Sequence, residues 1–591
     1  VLLGTVIARL VQLQVFDYEH FAERSLGNRI RIEAVPPIRG LVFDRQGRVL
    51  AENLPAYQLE LIPEQVADID TTLQRLAGLE LIDASDIPRI KDLSESGPRF
   101  KPVALNPRLD DEQIARFAIQ RPRFPGVDFR PRLVRHYPQG EYIAHAVGYV
   151  GALSTSDLEK LDPSRYAGTT QTGKTGIENS YESRLHGDSG FRHIVTNARG
   201  RRVPVESRDL QETLPADEHP TPGDNLYLSI DLELQTLATD QLAGRRGAVV
   251  AMDPWSGEIL ALVSAPSFDP NLFAVGMSRS QFSALQEDMD RPLYNRAVRG
   301  TYPPGSTIKP MLALAALETG ATNLERKTVC HGFFMLPNTT HRYRDWKPEG
   351  HGEVDIHDAI TQSCDVYFYE ISNDIGIDRM HDYLARFGLG SATGIDVVGE
   401  RSGLVPSTEW KRNAFRNRAD QRWYLGETVI ASIGQGYMLT TPLQLATATA
   451  ALATRGIRFE PHIVAAWENP LTDERTLASP VRLDDVELDD DTNWDVVIGA
   501  MNSVMQGPRG TARAVGSDAP YSMAGKSGTA QVFSVGQDEE YDEDEIEERL
   551  KDHALFIAFA PVEDPQIAVA VIVENGSSGS GVAAPIAKAI M

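Results

Sequence analysis

The stretch "YPPGSTIKP" (Tyr302–Pro310) places Ser306 and Lys309 three residues apart, directly after a Pro-Pro-Gly turn. The downstream pattern predicts a helix from Ser306 to about Leu317, with both side chains on one face of its first turn. A serine hydroxyl is a poor nucleophile until a neighbouring base takes its proton, and a lysine at this spacing can be that base. A lone Ser-x-x-Lys pair arises easily by chance, so its meaning depends on the rest of the chain. Ser363-Cys364-Asp365 falls in a helical stretch from about Thr361 to Ile375, and Lys526-Ser527-Gly528-Thr529 opens a strand after "YSMAG". The three elements in this order form a set by which an active-site serine transfers acyl groups.

The residue types assign themselves roles. Ser306 is the expected nucleophile. Lys309 is its expected base, kept neutral by desolvation and by the positive charge of Lys526 across the cleft. Ser363 relays protons between the lysines and the leaving amine. On an extended strand, Ser527 and Thr529 share one side and can bind a substrate carboxylate, with Lys526 supplying charge, while Gly528 lets substrate approach the backbone. The N–H groups of Ser306 and Thr529 form the natural oxyanion pair. Asp365 closes the second element with a carboxylate, which donates a hydrogen bond only when protonated.

Outward from this set, "GAVVAMDPWSGEILALVS" reads as two apolar strands around an Asp-Pro-Trp-Ser-Gly turn, and "ALFIAFAPVEDPQIAVAVIVENG" as a second hairpin before a closing helix. "PLQLATATAALATRG" (Pro442–Gly456) reads as a helix ended by glycine. Strands at both ends of a helical middle predict an antiparallel sheet flanked by helices, an α+β domain from 223 to 591. From about Arg29 to Arg208 the chain is rich in Arg and Pro, with short strands such as "RGLVFD" and "AYQLELIP", and residues 16–222 are expected to form a separate region. The acidic, Pro- and Gly-bearing run Gln211–Asn225 reads as the linker between them, and Asp538–Asp552 as a solvated insertion between strands.

The chain has 591 residues and a formal net charge of −25. That length requires more than one domain, and that charge argues against nucleic acid as a partner. The opening "VLLGTVIARLVQLQV" (residues 1–15) is expected to be the exit end of a truncated transmembrane helix, the rest lying on one side of a membrane. "AGTTQTGKTGIE" (Ala167–Glu178) contains a complete Walker A string, Gly168 to Thr175. A phosphate loop needs a buried strand before it and a helix after it. "KLDPSRY" is no such strand, and Asp253, the available Walker B residue, ends a strand that turns straight into its hairpin partner. No nucleotide is expected; the glycines are expected to shape a turn, with Glu178 or Arg184 making structural polar contacts.

The strings "GAVVAMDPWSGEILALVS", "NRAVRGTYPPGSTIKP", "ASIGQGYMLTTPLQLA" and "AGKSGTAQV" resemble the transpeptidase domain of class B penicillin-binding proteins. "PPIRGLVFDRQGRVLAENLPAYQLEL" and "GKTGIENSYESRLHGDSG" resemble the elongated pedestal domain of the same family, so the resemblance spans almost the whole chain. "YRDWKPEGHG" and Asp365 resemble the rod-elongation branch. The resemblance implies a multidomain, single-pass protein of the inner membrane with its catalytic domain in the periplasm. It implies a D,D-transpeptidase in which Ser306 attacks the D-Ala-D-Ala bond of one stem peptide and passes the acyl group to an amine of another, and which β-lactams trap. No segment resembles a glycosyltransferase, so family analogy makes the SEDS polymerase RodA and the scaffold MreC the expected partners.

Cys330 and Cys364 are the only cysteines. In an oxidising compartment they could form a disulfide. Together with Asp345 and His351, which lie between them, they could instead close a tetrahedral structural zinc site. Some members of the elongation branch carry zinc at matching positions, which favours the metal; His331, His341 and His357 are taken as surface residues. Two other readings stand beside the transpeptidase: a D,D-carboxypeptidase or β-lactamase-like hydrolase, and a non-catalytic β-lactam-binding scaffold.

Overall fold

The structure, a computed structural model, describes residues 2–12, 30–96, 99–100, 102–196, 215–532 and 546–591. Four segments whose apolar residues run without alternation build most of the catalytic sheet, as expected for strands covered on both faces. Across the sheet the order is Ile259–Ala265, Gly247–Met252, Ile567–Val573, His553–Ala560 and Ala524–Ala530, all antiparallel. Both predicted hairpins are present. In the first, Gly257 takes a φ of +83° and donates to the carbonyl of Asp253 at 3.0 Å, which closes the Asp-Pro-Trp-Ser-Gly turn. The Lys526-Ser527-Gly528-Thr529 segment lies on the edge strand, so one side of it is free of strand pairing.

Helices cover both faces. Pro442–Ala453 packs on one, and Leu232–Leu242 with the closing helix Ala584–Ile590 on the other. Thr492–Gln506 lies against the edge strand and the Ile356–Thr361 helix. The predicted helix at Ser306 begins as a 3-10 turn, Gly305–Ile308, and continues as the α-helix Lys309–Glu318. The second expected helix is interrupted. Ile356–Thr361 ends, Ser363 takes a left-handed φ of +58°, and Asp365–Ile375 starts anew behind Cys364. Ser363 and Cys364 thus form a joint between helices, and Asp365 opens the second one. A non-glycine residue in that conformation is held by its surroundings.

The pedestal does not hang on a free tether. Asn225–Leu228 pairs in parallel with Val42–Phe43 and antiparallel with Val464–Asn469, so one sheet runs through both regions. Of the expected linker, residues 215–224 fold back along the pedestal. Thr221 bridges Asp188, and Gly223 donates to the Ile38 carbonyl at 3.0 Å. Residues 211–214 of that run lie outside the described residues, as does most of Asp538–Asp552, whose end forms the 3-10 turn Glu548–Leu550. Within the pedestal, the helices Ile69–Gly78, Ile87–Ser96 and Asp111–Gln120 gather with the strands Val49–Leu61 and Val103–Leu109 around a small separate core that includes Leu59, Leu73, Leu105 and Phe117. Of the expected membrane segment, Leu2–Val11 is a ten-residue helix and 13–15 lie outside the described residues. No helix among the described residues is long and apolar enough to cross a membrane.

The Walker string folds into something other than a phosphate loop. The residues that would form the loop are themselves a strand, Gln171–Gly173, paired with Val150–Ala152. A Cβ on Gly173 would sit 1.9 Å from the Glu178 carbonyl oxygen, so the backbone there faces protein. Lys174 is paired with Asp157. Glu178 is fully buried and accepts from Arg39 Nε and Arg135 Nε, both at 2.7 Å, as a structural centre of the pedestal. Arg184 pairs with Asp224 and lies over the Trp467 ring.

Candidate active site

Gly305 explains how the nucleophile turn meets the edge strand. Its φ is +55°, and a Cβ there would stand 2.5 Å from the Thr529 carbonyl oxygen; its N–H donates to the Gly434 carbonyl at 3.0 Å. Only glycine fits between these two backbones. Ser306 follows as a half-exposed residue on an otherwise buried turn, while Lys309 below it is fully buried.

The three sequence elements converge. Lys309 Nζ donates to the Ser363 carbonyl at 2.8 Å, to Ser363 Oγ at 3.3 Å and to Asp365 Oδ1 at 2.7 Å. Lys526 Nζ donates to the same Ser363 Oγ at 2.9 Å and to the Ser527 carbonyl at 2.9 Å. Ser363 is therefore the shared partner of two buried lysines, which accounts for its left-handed backbone. Ser527 and Thr529 lie on the accessible side of the strand, with Lys526 and Gly528 buried, as the alternation required.

The charges are arranged differently from expectation. Lys526 is the lysine pushed well below the ordinary range, first by burial and then by the charge of Lys309. Lys309 instead has a carboxylate partner in Asp365, whose own pKa is raised by burial despite that lysine. In the sequence, Asp365 passes for a substitute for an amide, and its role as counter-ion is hidden. Two further residues of the site were not foreseen. Gln435 Nε2 donates to the Thr529 carbonyl at 3.0 Å, and the Thr511 hydroxyl lies 3.1 Å from Ser527 Oγ. Gln435 belongs to the family-like string "ASIGQGYMLTTPLQLA", which could have pointed to it; nothing in the local pattern marks Thr511.

The Cys330, Asp345, His351 and Cys364 ligand atoms all lie within 4.8 Å of one another. Asp345 Oδ2 is 3.5 Å from Cys330 Sγ and 3.4 Å from Cys364 Sγ, and His351 Nδ1 is 3.6 Å from Cys330 Sγ. A tetrahedral zinc with these ligand types has edges of about 3.3–3.8 Å, so the donor set fits the ion. Both thiols are free and buried, and burial is the main cause that raises each. His331 and His341 are exposed, outside the cluster. Asp345 also accepts from the backbone N–H of Asp365 at 2.8 Å, and Trp346 N–H donates to Asp365 Oδ2 at 3.1 Å. The four residues thus brace the start of the helix that carries Asp365.

A partly exposed serine on a glycine-backed turn, two buried lysines sharing a second serine and an edge strand with one unpaired side have the arrangement of an active-site serine acyl transferase of the penicillin-binding class. Residues 247–591 match the family model "Penicillin binding protein transpeptidase domain", and residues 34–228 match "Penicillin-binding Protein dimerisation domain". The chain is 42% identical over 585 residues to the peptidoglycan D,D-transpeptidase MrdA of Acinetobacter baumannii, covering 99% of this chain and 84% of that one. It is similar to the crystal structure of Pseudomonas aeruginosa PBP2 in complex with WCK 5153, with a TM-score of 0.71 at 40% identity over 95% of this chain and 96% of the other. The complex between PBP2 and MreC from Helicobacter pylori matches with a TM-score of 0.78 at 27% identity, covering 95% and 98%. The chain belongs to the MrdA, or PBP2, family of class B penicillin-binding proteins, the peptidoglycan D,D-transpeptidases.

Proposed function

We propose that this D,D-transpeptidase cross-links stem peptides during cell elongation through a Ser306 acyl-enzyme. The observation that carries the reading is the Lys309–Ser363–Lys526 chain beneath a half-exposed Ser306. In such a pair each ammonium opposes the charge of the other, and the Ser363 hydroxyl passes the proton between them. The neutral amine takes the Ser306 proton as Oγ bonds to the penultimate D-Ala carbonyl carbon. The ammonium then protonates the departing D-Ala nitrogen as the peptide bond breaks. Ser306 and Thr529 N–H groups stabilise the oxyanion. Ser527 and Thr529 hold the terminal carboxylate with Lys526. The amine of a second stem peptide then attacks the ester, forms the cross-link and frees Ser306. A β-lactam ring opens by the same attack but leaves no group to depart, so the acyl-enzyme persists.

The site for zinc would be Cys330, Asp345, His351 and Cys364. With four protein ligands it leaves no open position, so the ion would serve structure by holding the Asp345–Trp346 strap on the second motif. Family resemblance supports residence in the inner membrane with the catalytic domain in the periplasm. MreC, found with a relative, and the polymerase RodA are the partners this reading supplies.

Fluorescent penicillin tests the mechanism. Wild-type protein labels and Ser306→Ala does not; undiminished labelling of that variant would overturn it. Mass spectrometry of products from un-cross-linked peptidoglycan separates the alternatives, with cross-linked dimers supporting transpeptidation and trimmed tetrapeptides alone supporting a carboxypeptidase. Elemental analysis is expected to find one zinc per chain; its absence, with both thiols blocked under non-reducing conditions, would establish the disulfide.

A further inference from the structure

Beside the catalytic cleft lies a group of arginines that the mechanism does not use. "KRNAFRNRADQR" (Lys411–Arg422) carries five cations and one acid in a chain that is acidic overall. Arg412, Arg416, Arg418 and Arg422 line its accessible side. Many exposed arginines elsewhere have a carboxylate within ion-pair distance, as in Arg455–Asp495, Arg482–Asp485, Arg509–Asp358 and Arg549–Asp290. None of the four in this segment has such a partner among the described residues; Arg422 lies over the Tyr424 ring. With 83 acidic residues available, a cluster left without internal counter-ions has its charge turned to solvent.

The segment is also built to hold its place. Lys411, its first residue, is buried and paired with Glu427. Its ammonium sits 5.3 to 5.9 Å from the ring centres of Tyr424, Trp423, Tyr437 and Phe415. Several aromatic faces around one desolvated cation make a strong anchor. Gln421 Nε2 closes the loop onto the Phe415 carbonyl at 2.8 Å, and Trp423 Nε1 donates to Thr428 at 2.8 Å. The anchor leads directly to the cleft. Tyr437 belongs to the turn whose Gly434 receives the Gly305 N–H and whose Gln435 holds Thr529. The Leu425–Ala431 helix between them packs on the Asp365–Ile375 helix.

We propose that the arginines of 412–422 form a landing surface for the carboxylate-bearing peptidoglycan strand, outside the pocket that holds the scissile bond. The inference rests on the transpeptidase reading. Every stem peptide ending in D-Ala-D-Ala brings at least one carboxylate, so an un-cross-linked strand is a repeating polyanion. A chain with net charge −25 repels such a polymer at long range. A guanidinium cluster on a segment anchored to the cleft turn opposes the field of the whole chain and offers forked donors to carboxylates. A small β-lactam has no need of it, because its single carboxylate is held by Ser527, Thr529 and Lys526.

The test compares wild type with Arg412→Glu/Arg416→Glu/Arg418→Glu, in the full chain, on two kinds of substrate. Fluorescent penicillin reports the catalytic reading, and its acylation rate is expected to stay within about twofold. Binding and cross-linking of purified un-cross-linked strands is expected to fall about tenfold at low salt, with the gap closing as salt rises. The Arg→Lys triple variant retains most of the wild-type strand binding. Strands with amidated carboxylates bind wild type and the Glu variant alike. Equal binding of native strands by wild type and the Glu variant would overturn the proposal. So would a parallel loss of penicillin acylation, which would mark a structural loop, or wild-type binding to phosphatidylglycerol vesicles and not to strands. Failure of wild type to acylate at all would instead sink the catalytic reading.

Discussion

Two of the molecule's buried charge clusters are built differently. In the pedestal, Arg39 and Arg135 surround Glu178, with Glu182 as second acid and Tyr137 at 3.2 Å. In the catalytic domain, Lys309 and Lys526 share Ser363, with Asp365 as the acid in direct contact and Asp345 behind it. The pedestal cluster balances two cations against two anions. Its guanidiniums cannot give up a proton, so it exists in one charge state. Burial alone would raise Glu178, but Arg135 and Arg39 outweigh it and hold the carboxyl low. The cations of the catalytic cluster are lysines, and a lysine can lose its proton when buried. The chain thereby separates stability from chemistry: permanent charges where a joint must hold, removable protons where a bond must break.

Exchanging the cation types tests that division most directly. Lys309→Arg keeps the charge and removes the base, and is expected to lower penicillin acylation by about 10²–10⁴. Arg135→Lys is expected to leave acylation of the folded protein unchanged. Acylation kinetics check both, and a Lys309→Arg variant of normal rate would mean that the two clusters work alike. Next in size is Glu178→Gln, which leaves two buried guanidiniums short of a counter-charge. It is expected to cost about 3–5 kcal/mol in denaturant unfolding, with the acylation rate of the folded fraction intact.

A buried neutral group adds a third case. His145, buried against Phe268 where the pedestal meets Asn295, is pushed down to about 4, chiefly by desolvation. Its folded value lies below the ordinary 6.5, so the folded form resists protonation. Its stabilisation is complete above pH 6.5 and falls as pH drops from there towards 4. Melting temperature is expected to decline over that window by the equivalent of a few kcal/mol, and His145→Gln to flatten the decline. The smallest effect belongs to the surface. Lys174→Ala loses a partly exposed pair with Asp157 and is expected to cost under about 1 kcal/mol. No ATP binding is expected from either form; saturable micromolar binding lost in the variant would restore the phosphate-loop reading.

Much of the site was legible because its chemistry needs particular residue types at fixed spacings. Ser306 and Lys309 had to share a helical turn, and Ser527 and Thr529 had to share a strand face. The hairpins were legible because buried strands leave uninterrupted apolar runs. Ser363 was misplaced within a helix, since helical periodicity cannot report a left-handed residue held by two lysines from distant segments. The context of the Walker string was legible, but its packing was not: Gly173 is needed for close approach to the Glu178 carbonyl, while Gly168 lies against Ala34.

Reaction class, nucleophile, the order of the three motifs and the two large regions can all be read along the chain. Those features depend on residue identity and on contacts within a few positions. Four others came into view with the folded chain: Lys526 as the lysine that burial pushes well down, Asp365 as a counter-ion, a linker stitched into a shared sheet, and the anchoring of 412–422 to the turn at the cleft. Desolvation and Coulomb interaction act through space, between groups as far apart in sequence as Ser363 and Lys526.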